Sequence, residues 1–335
     1  MLHRSADHEA MADFLAEIGT GSECQDDVAR CRTEASLAMK TACGDPTGGL
    51  AHAKRAVEIA MRARLKEEVM YALHRHAVAL IAVGRLATPE GQELQAKITA
   101  AARSVEDPAS YVQLLLDLVE WHTNTGSLEP AAQMLSEARA VAEHMDCPVV
   151  RSMERMAQAA LALAEGDPQE AWSAIEAVGA RDGIVGDAAV GEAGATGKAT
   201  GRAMPTVSPN LRARHTSILG NCLLELGKLG QAKRLARRSP PDKAPGGASV
   251  DLVLFHARLR SRTGDGDGAL KMLEDGALAT READPVAWLR LTLEQVRLGR
   301  RSGVPLPDLA DEAHGLALSL ELPGLAHEFV PFQEG

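Results

Sequence analysis

Gly197-Lys198-Ala199-Thr200 is a stretch whose residue types invite a phosphate-binding reading. A P-loop needs G-x-x-x-x-G-K followed directly by Ser or Thr, so that backbone N–H groups cradle the phosphates and the hydroxyl holds Mg²⁺. Here Glu192 stands where the first glycine is required, Ala199 follows the lysine, and no apolar strand leads in, so the segment reads as linker. Metal chemistry is no better supported. His74 and His76 are two apart, ~200° around a helix, and cannot share one ion from one face. No H-E-x-x-H occurs, and His122, beside Trp121, reads as packed or at the wall of a groove. There is no G-x-S-x-G elbow. The five cysteines (Cys24, Cys31, Cys43, Cys147 and Cys222) are odd in number and form no C-x-x-C, which argues against a disulfide framework or zinc ribbon. Cys222 falls in an apolar helical frame and reads as a small buried hydrophobe. Carboxylates such as Glu67 and Glu68 are ordinary on solvated helix faces, and nothing selects an acid–base pair. The expectation is a chain that is not an enzyme and carries no catalytic, cofactor-binding or metal-ligating set.

One charge feature stands out. Between Leu211 and Lys243 lie Arg212, Arg214, Lys228, Lys233, Arg234, Arg237, Arg238 and Lys243 against only Glu225 and Asp242, a local balance of +6. The whole chain is at -10, so the remainder is strongly acidic. Such a segment attracts anions, whether an acidic protein, a nucleotide or nucleic acid, or else is a solvated helix face. No aromatic residues interleave with the cations, which weighs against single-stranded nucleic acid.

The elements that must position any of these residues are helices. Of 335 residues, 58 are Ala and 41 are Leu, both strong helix formers, and aromatics are 3%. β-branched residues never form long alternating runs, which excludes an all-β protein. No run of about 18 apolar residues occurs, so no membrane span is expected. The polar start, Met1-Leu2-His3-Arg4, has no apolar segment behind it, and a cytoplasmic location is expected.

The chain also repeats. Leu219-Gly220-Asn221-Cys222-Leu223-Leu224-Glu225-Leu226-Gly227-Lys228-Leu229-Gly230-Gln231-Ala232 has the form L-G-x-x-L-x-x-x-G-x-L-x-x-A. Leu219 and Leu223 share a helix face. Gly220 admits a neighbouring helix, Gly227 ends the first helix in the left-handed conformation, and Ala232 lets a second helix pack back. The frame recurs around Leu115, Gly126 and Ala131; around Ala159, Gly166 and Ala171; and around Ala257, Gly264 and Ala269. Weaker copies use Gly44, Gly84 and Gly299 as turn glycines. One step, from Gly166 to Gly227, is longer than the rest, and the surplus falls between Gly179 and Asn210, where glycines alternate with Ala, Thr and Val in a composition that reads as flexible loop. Ser239-Pro240-Pro241 opens a second break.

These units resemble tetratricopeptide repeats, in the expanded form of about 40 residues found in bacterial maltose-regulator-type proteins and signal-transduction ATPases. The resemblance implies an all-α fold, a right-handed α-solenoid of about six to seven antiparallel helix pairs. An N-terminal segment occupies 1–25, repeats one to four 26–180, the linker 181–210, and repeats five to seven with a cap 211–335. The alternative is a helical bundle whose alanines and leucines imitate the pattern by composition.

In tetratricopeptide proteins the first helices line a concave groove that binds peptides. The resemblance places Gln113, Glu120, Thr123 and Asn124 toward that groove in the third unit. It places Arg214, Asn221 and Glu225 there in the fifth, and Arg258 and Arg262 in the sixth. Asn221 matches one position of the carboxylate clamp some members carry, but Ser217 stands where the clamp lysine is expected one turn earlier. The expected function is therefore protein–protein interaction or ligand sensing through the groove, as a regulatory module of a bacterial signalling or transcription system. The expected partner is a protein or peptide. The alternative is a nucleotide- or nucleic-acid-linked regulator using the basic segment at 211–243.

Overall fold

A computed structural model describes residues 26–42, 45–102, 108–145, 147–181, 209–241 and 248–332. Among the described residues there are fifteen α-helices and no strand. They are α1 (Asp27–Ala42), α2 (Pro46–Arg62), α3 (Lys66–Ala82), α4 (Pro89–Ala102) and α5 (Pro108–Asn124), followed by α6 (Leu128–Ala142), α7 (Pro148–Glu165), α8 (Pro168–Arg181), α9 (Pro209–Glu225) and α10 (Leu229–Arg238). The last five are α11 (Ala248–Arg262), α12 (Gly266–Thr280), α13 (Pro285–Arg301), α14 (Pro307–Ser319) and α15 (Pro323–Phe329), before a short 3₁₀ turn at Val330–Phe332. No described helix is long and apolar enough to cross a membrane.

The sequence sets the turns. Six odd-numbered helices, α3 through α13, end at a glycine in the left-handed region: Gly84, Gly126, Gly166, Gly227, Gly264 and Gly303, with φ between 71° and 90°. At each, the next residue's N–H reaches back to the carbonyl five positions earlier, as in Arg85 to Leu80 and Lys228 to Leu223, both at 2.8 Å. This is a Schellman closure, which satisfies carbonyls the helix end would otherwise strand. After Gly166 and Gly264 a side-chain cap then starts the following helix. Asp167 accepts from the N–H groups of Gln169 and Glu170, and Asp265 from Gly268. Gly166-Asp167-Pro168 thus holds a helix stop, a cap and a first-turn proline in three residues.

Each odd-numbered helix packs on the even-numbered one that follows and on the next odd-numbered one: α1 on α2 and α3, α5 on α6 and α7, α9 on α10 and α11. Small residues set the spacing within pairs. Ala131, Ala171, Ala232 and Ala269 each follow their turn glycine by the same step and are all fully buried. Gly220 lies directly under Phe255, whose ring would be 2.5 Å from a Cβ there. The chain also folds back on itself over a long range. The turn at Gly84 lies against Pro285 and Leu320, and that at Gly126 against the backbone of Gly324.

Two expectations need adjustment. Gly299 is not a turn glycine. It is buried inside α13, where a Cβ would meet the Val304 carbonyl oxygen at 2.6 Å, and Gly303 takes the left-handed position. The helix runs one turn longer than its apolar frame suggested, because Gly299 is needed for the chain to return over it. The edges of the long linker are helical: α8 continues to Arg181 and α9 begins at Pro209. Gly44 and residues 182–208 lie outside the described residues.

Candidate functional site

Helical spacing puts most of the singled-out side chains, together with further polar residues, on one face of the odd-numbered helices. On α5, Gln113, Asp117, Glu120 and Asn124 follow steps of three or four, as do Arg214, Ser217, Asn221 and Glu225 on α9. On α11, Arg258 and Arg262 are four apart and Asp251 lies seven positions before Arg258, two turns along the same face, and Arg290, Glu294, Arg297 and Arg301 follow steps of three or four on α13.

The structure brings most of these groups together, and it does so by pairing them with one another. Glu120 of α5 meets Arg214 of α9 at 2.9 Å. The Arg258 guanidinium donates to Asn221 Oδ1 at 3.1 Å and pairs with Glu294 at 2.8 Å, linking α9, α11 and α13. Arg262 pairs with Glu225 at 2.7 Å and also donates to the Leu224 carbonyl. Gln113, Thr123 and Asn124 are half-buried and make no side-chain hydrogen bond.

The same seam continues through further residues, among them Glu68, which is buried and paired and not, as expected, on a solvated face. Arg32 of α1 pairs with Glu68 of α3, and Asp251 of α11 with Arg290 of α13, each at 2.5 Å. His74 of α3 sits 2.7 Å from Asp117 of α5, both buried. Burial pushes the His74 imidazole below its ordinary range, so it is neutral and donates its Nε2–H to Asp117. Burial opposes ionisation of Asp117, but surrounding positive charge, Arg214 included, and the His74 hydrogen bond hold that carboxyl below its usual range. Glu294 is likewise held low: burial works against it, and the Arg258 charge and hydrogen bond outweigh burial. A signal for Asp117 was present in the sequence. One charge inside Leu114-Leu115-Leu116-Asp117-Leu118-Val119 has to be paired if that helix is buried.

Several polar atoms on α5 and α9 are buried without a partner: Arg214 Nη2, Thr123 Oγ1, both His122 ring nitrogens and His215 Nε2. Burial lowers the His122 pKa and pushes His215 down to about 4. Arg75 is buried with its guanidinium 4.8 Å from the Tyr71 ring centre.

Nucleophile chemistry finds little here. Cys31, Cys147 and Cys222 are free, and burial pushes the Cys31 thiol up to about 11 and Cys222 to about 12, leaving both protonated. Among the described residues, no three His, Cys, Asp or Glu side chains gather in a group that could hold a metal ion. The arrangement can order helices against each other and present the Gln113 and Asn124 amides to a polar ligand. Compared with protein-family models and with curated proteins, the chain gives no match.

Proposed function

We propose that the chain is a non-catalytic recognition scaffold: a right-handed solenoid of tetratricopeptide-like helix pairs that offers the shared face of its first helices to a protein or peptide segment. The observation that supports this reading is the alignment of polar side chains on one face of α5, α9, α11 and α13, with the Gln113 and Asn124 amides left uncommitted within it. First helices set side by side share a face that a single extended segment can follow. The ion pairs fix the spacing of the first helices, so the amides are presented at set positions and little side-chain ordering is needed on binding.

The test uses a photo-crosslinking amino acid placed at position 113, at 124, or at the exposed second-helix position 133, in the full chain inside cells of its source. Protein adducts formed from 113 and 124 and not from 133 are the expected result. Adducts of equal yield from all three positions, or from none, would refute recognition through this face.

A further inference from the structure

We infer that the exposed face of α10 is a docking surface for an acidic polypeptide segment; this rests on different residues from the first-helix face and stands apart from it. Helix α10 buries Ala232 and Ala236 and tucks in Leu229 and Leu235. Apart from Gly230 and Gln231, everything it turns to solvent is cationic: Lys233, Arg234, Arg237 and Arg238, with Lys228 at its N-cap. Arg212 is exposed on α9 nearby in sequence. There is no acidic residue on α10.

That is unusual for this chain. Among the described residues, exposed cations elsewhere are mostly matched by a carboxylate, as in Arg55 with Glu34, Arg85 with Glu90, Arg139 with Glu154 and Arg281 with Glu312. Arg212, Lys233, Arg234 and Arg237 have no carboxylate partner among the described residues. Cations at successive turns of one helix repel one another. The carbonyl end of the helix accounts for Arg237 and Arg238, which lie in its last turn, but Lys233 and Arg234 sit mid-helix and gain nothing from it.

Length and surroundings select the occupant. A helix of this size presents a basic strip ~15 Å long. That matches a short acidic segment, extended or helical. A nucleic-acid duplex would run past the strip onto a protein surface whose remaining charge is strongly negative. Base stacking has no platform there either: Trp172, at the edge of the strip, is covered by the Lys228 ammonium 4.0 Å above its ring.

The experiment measures fluorescence anisotropy of a labelled oligoglutamate peptide, and separately of a labelled DNA duplex, against the full chain at low salt. Three variants are compared with wild type. The first is Lys233→Gln with Arg234→Gln and Arg237→Gln. The second is Arg62→Gln with Arg64→Gln and Lys271→Gln, which removes equal charge at exposed, unpaired positions elsewhere. The third is Lys233→Arg with Arg234→Lys and Arg237→Lys, which keeps the charge. All substituted side chains are exposed, and far-ultraviolet dichroism checks the helices. The expected result is about tenfold or greater loss of oligoglutamate affinity in the first variant, with the second and third close to wild type. No oligoglutamate binding by wild type, no loss in the first variant, or equal loss in the first and second would overturn the proposal. So would tighter binding of the duplex through the same three residues, which would make the strip a nucleic-acid surface.

Discussion

Glu120 on α5 and Arg214 on α9 lie 2.9 Å apart although the α7–α8 helix pair separates them along the chain. The two are not equivalent. Arg214 is buried and also faces the buried Asp117 carboxylate, whereas about a third of the Glu120 side chain is exposed. Removing the guanidinium leaves a buried anion with less compensation; removing the Glu120 charge leaves Arg214 still opposite Asp117. Arg214→Met should therefore cost roughly 3–5 kcal/mol in urea unfolding, and Glu120→Gln no more than about 1 kcal/mol. The double variant should fall short of the sum. Equal small costs would mean that Arg214 does not hold the seam together.

Protonation of buried histidines sets an acid limit on stability. His215 titrates at about 4 in the folded chain because burial disfavours the imidazolium, even with a hydrogen bond to the Ile175 backbone. Unfolded, it titrates near the ordinary 6.5. Between those values the unfolded state binds a proton that the native state does not. Stability contributed this way is intact above about pH 7 and is lost as pH falls from 6.5 toward 4. The gap corresponds to roughly 3 kcal/mol. Burial lowers His74, His76 and His122 in the same direction, while Asp117 and Glu294, held low by their partners, add losses only at more acid pH. Urea midpoints taken from pH 7.5 to 4.5 should fall steeply, and His215→Gln should flatten the fall. An unchanged slope in that variant would show that His215 is not the group responsible.

Small residues at the pair contacts give a packing test. Ala171 and Ala232 are both fully buried at the same step after their turn glycines. Leucine at either should overpack the contact between the two helices of its unit and cost roughly 1–3 kcal/mol. Thermal or urea unfolding of Ala171→Leu and Ala232→Leu reports this directly, and unchanged midpoints in both would show that the contact yields freely.

How far the sequence discloses this fold depends on how local each signal is. Gly84, Gly126, Gly166, Gly227 and Gly264 were legible because a helix stop calls for a left-handed residue at the end of an apolar frame, joined at Gly166 and Gly264 by a capping Asp at the next position. Gly299 and Gly303 lie one turn apart, and periodicity alone cannot say which one turns the chain. The polar face of the odd-numbered helices was legible from steps of three and four. Its pairing was not, because whether Arg214 meets Glu120 depends on how the helices between α5 and α9 pack, and no local pattern records that. The seat of Gly126 against Gly324 escaped for the same reason: it is a contact between distant turns.

Two helical glycines offer a substitution pair with opposite expected signs. A Cβ on Gly220 would stand 2.5–2.6 Å from three atoms of the Phe255 ring, which is itself fully buried and cannot swing away without opening the α9–α11 contact. A Cβ on Gly230, in the first turn of α10, meets nothing within 4 Å. Both glycines have φ outside the left-handed region, so alanine is conformationally acceptable at each. At Gly230 alanine should stabilise by a few tenths of a kcal/mol up to about 1, through reduced freedom of the unfolded chain. At Gly220 the same gain is overwhelmed by displacement of the ring, for a net loss of roughly 1–3 kcal/mol. Urea unfolding of Gly220→Ala and Gly230→Ala side by side checks both. If Gly220→Ala stabilises as much as Gly230→Ala, the ring has room to move, and the close seat of α9 on α11 is not what requires glycine there.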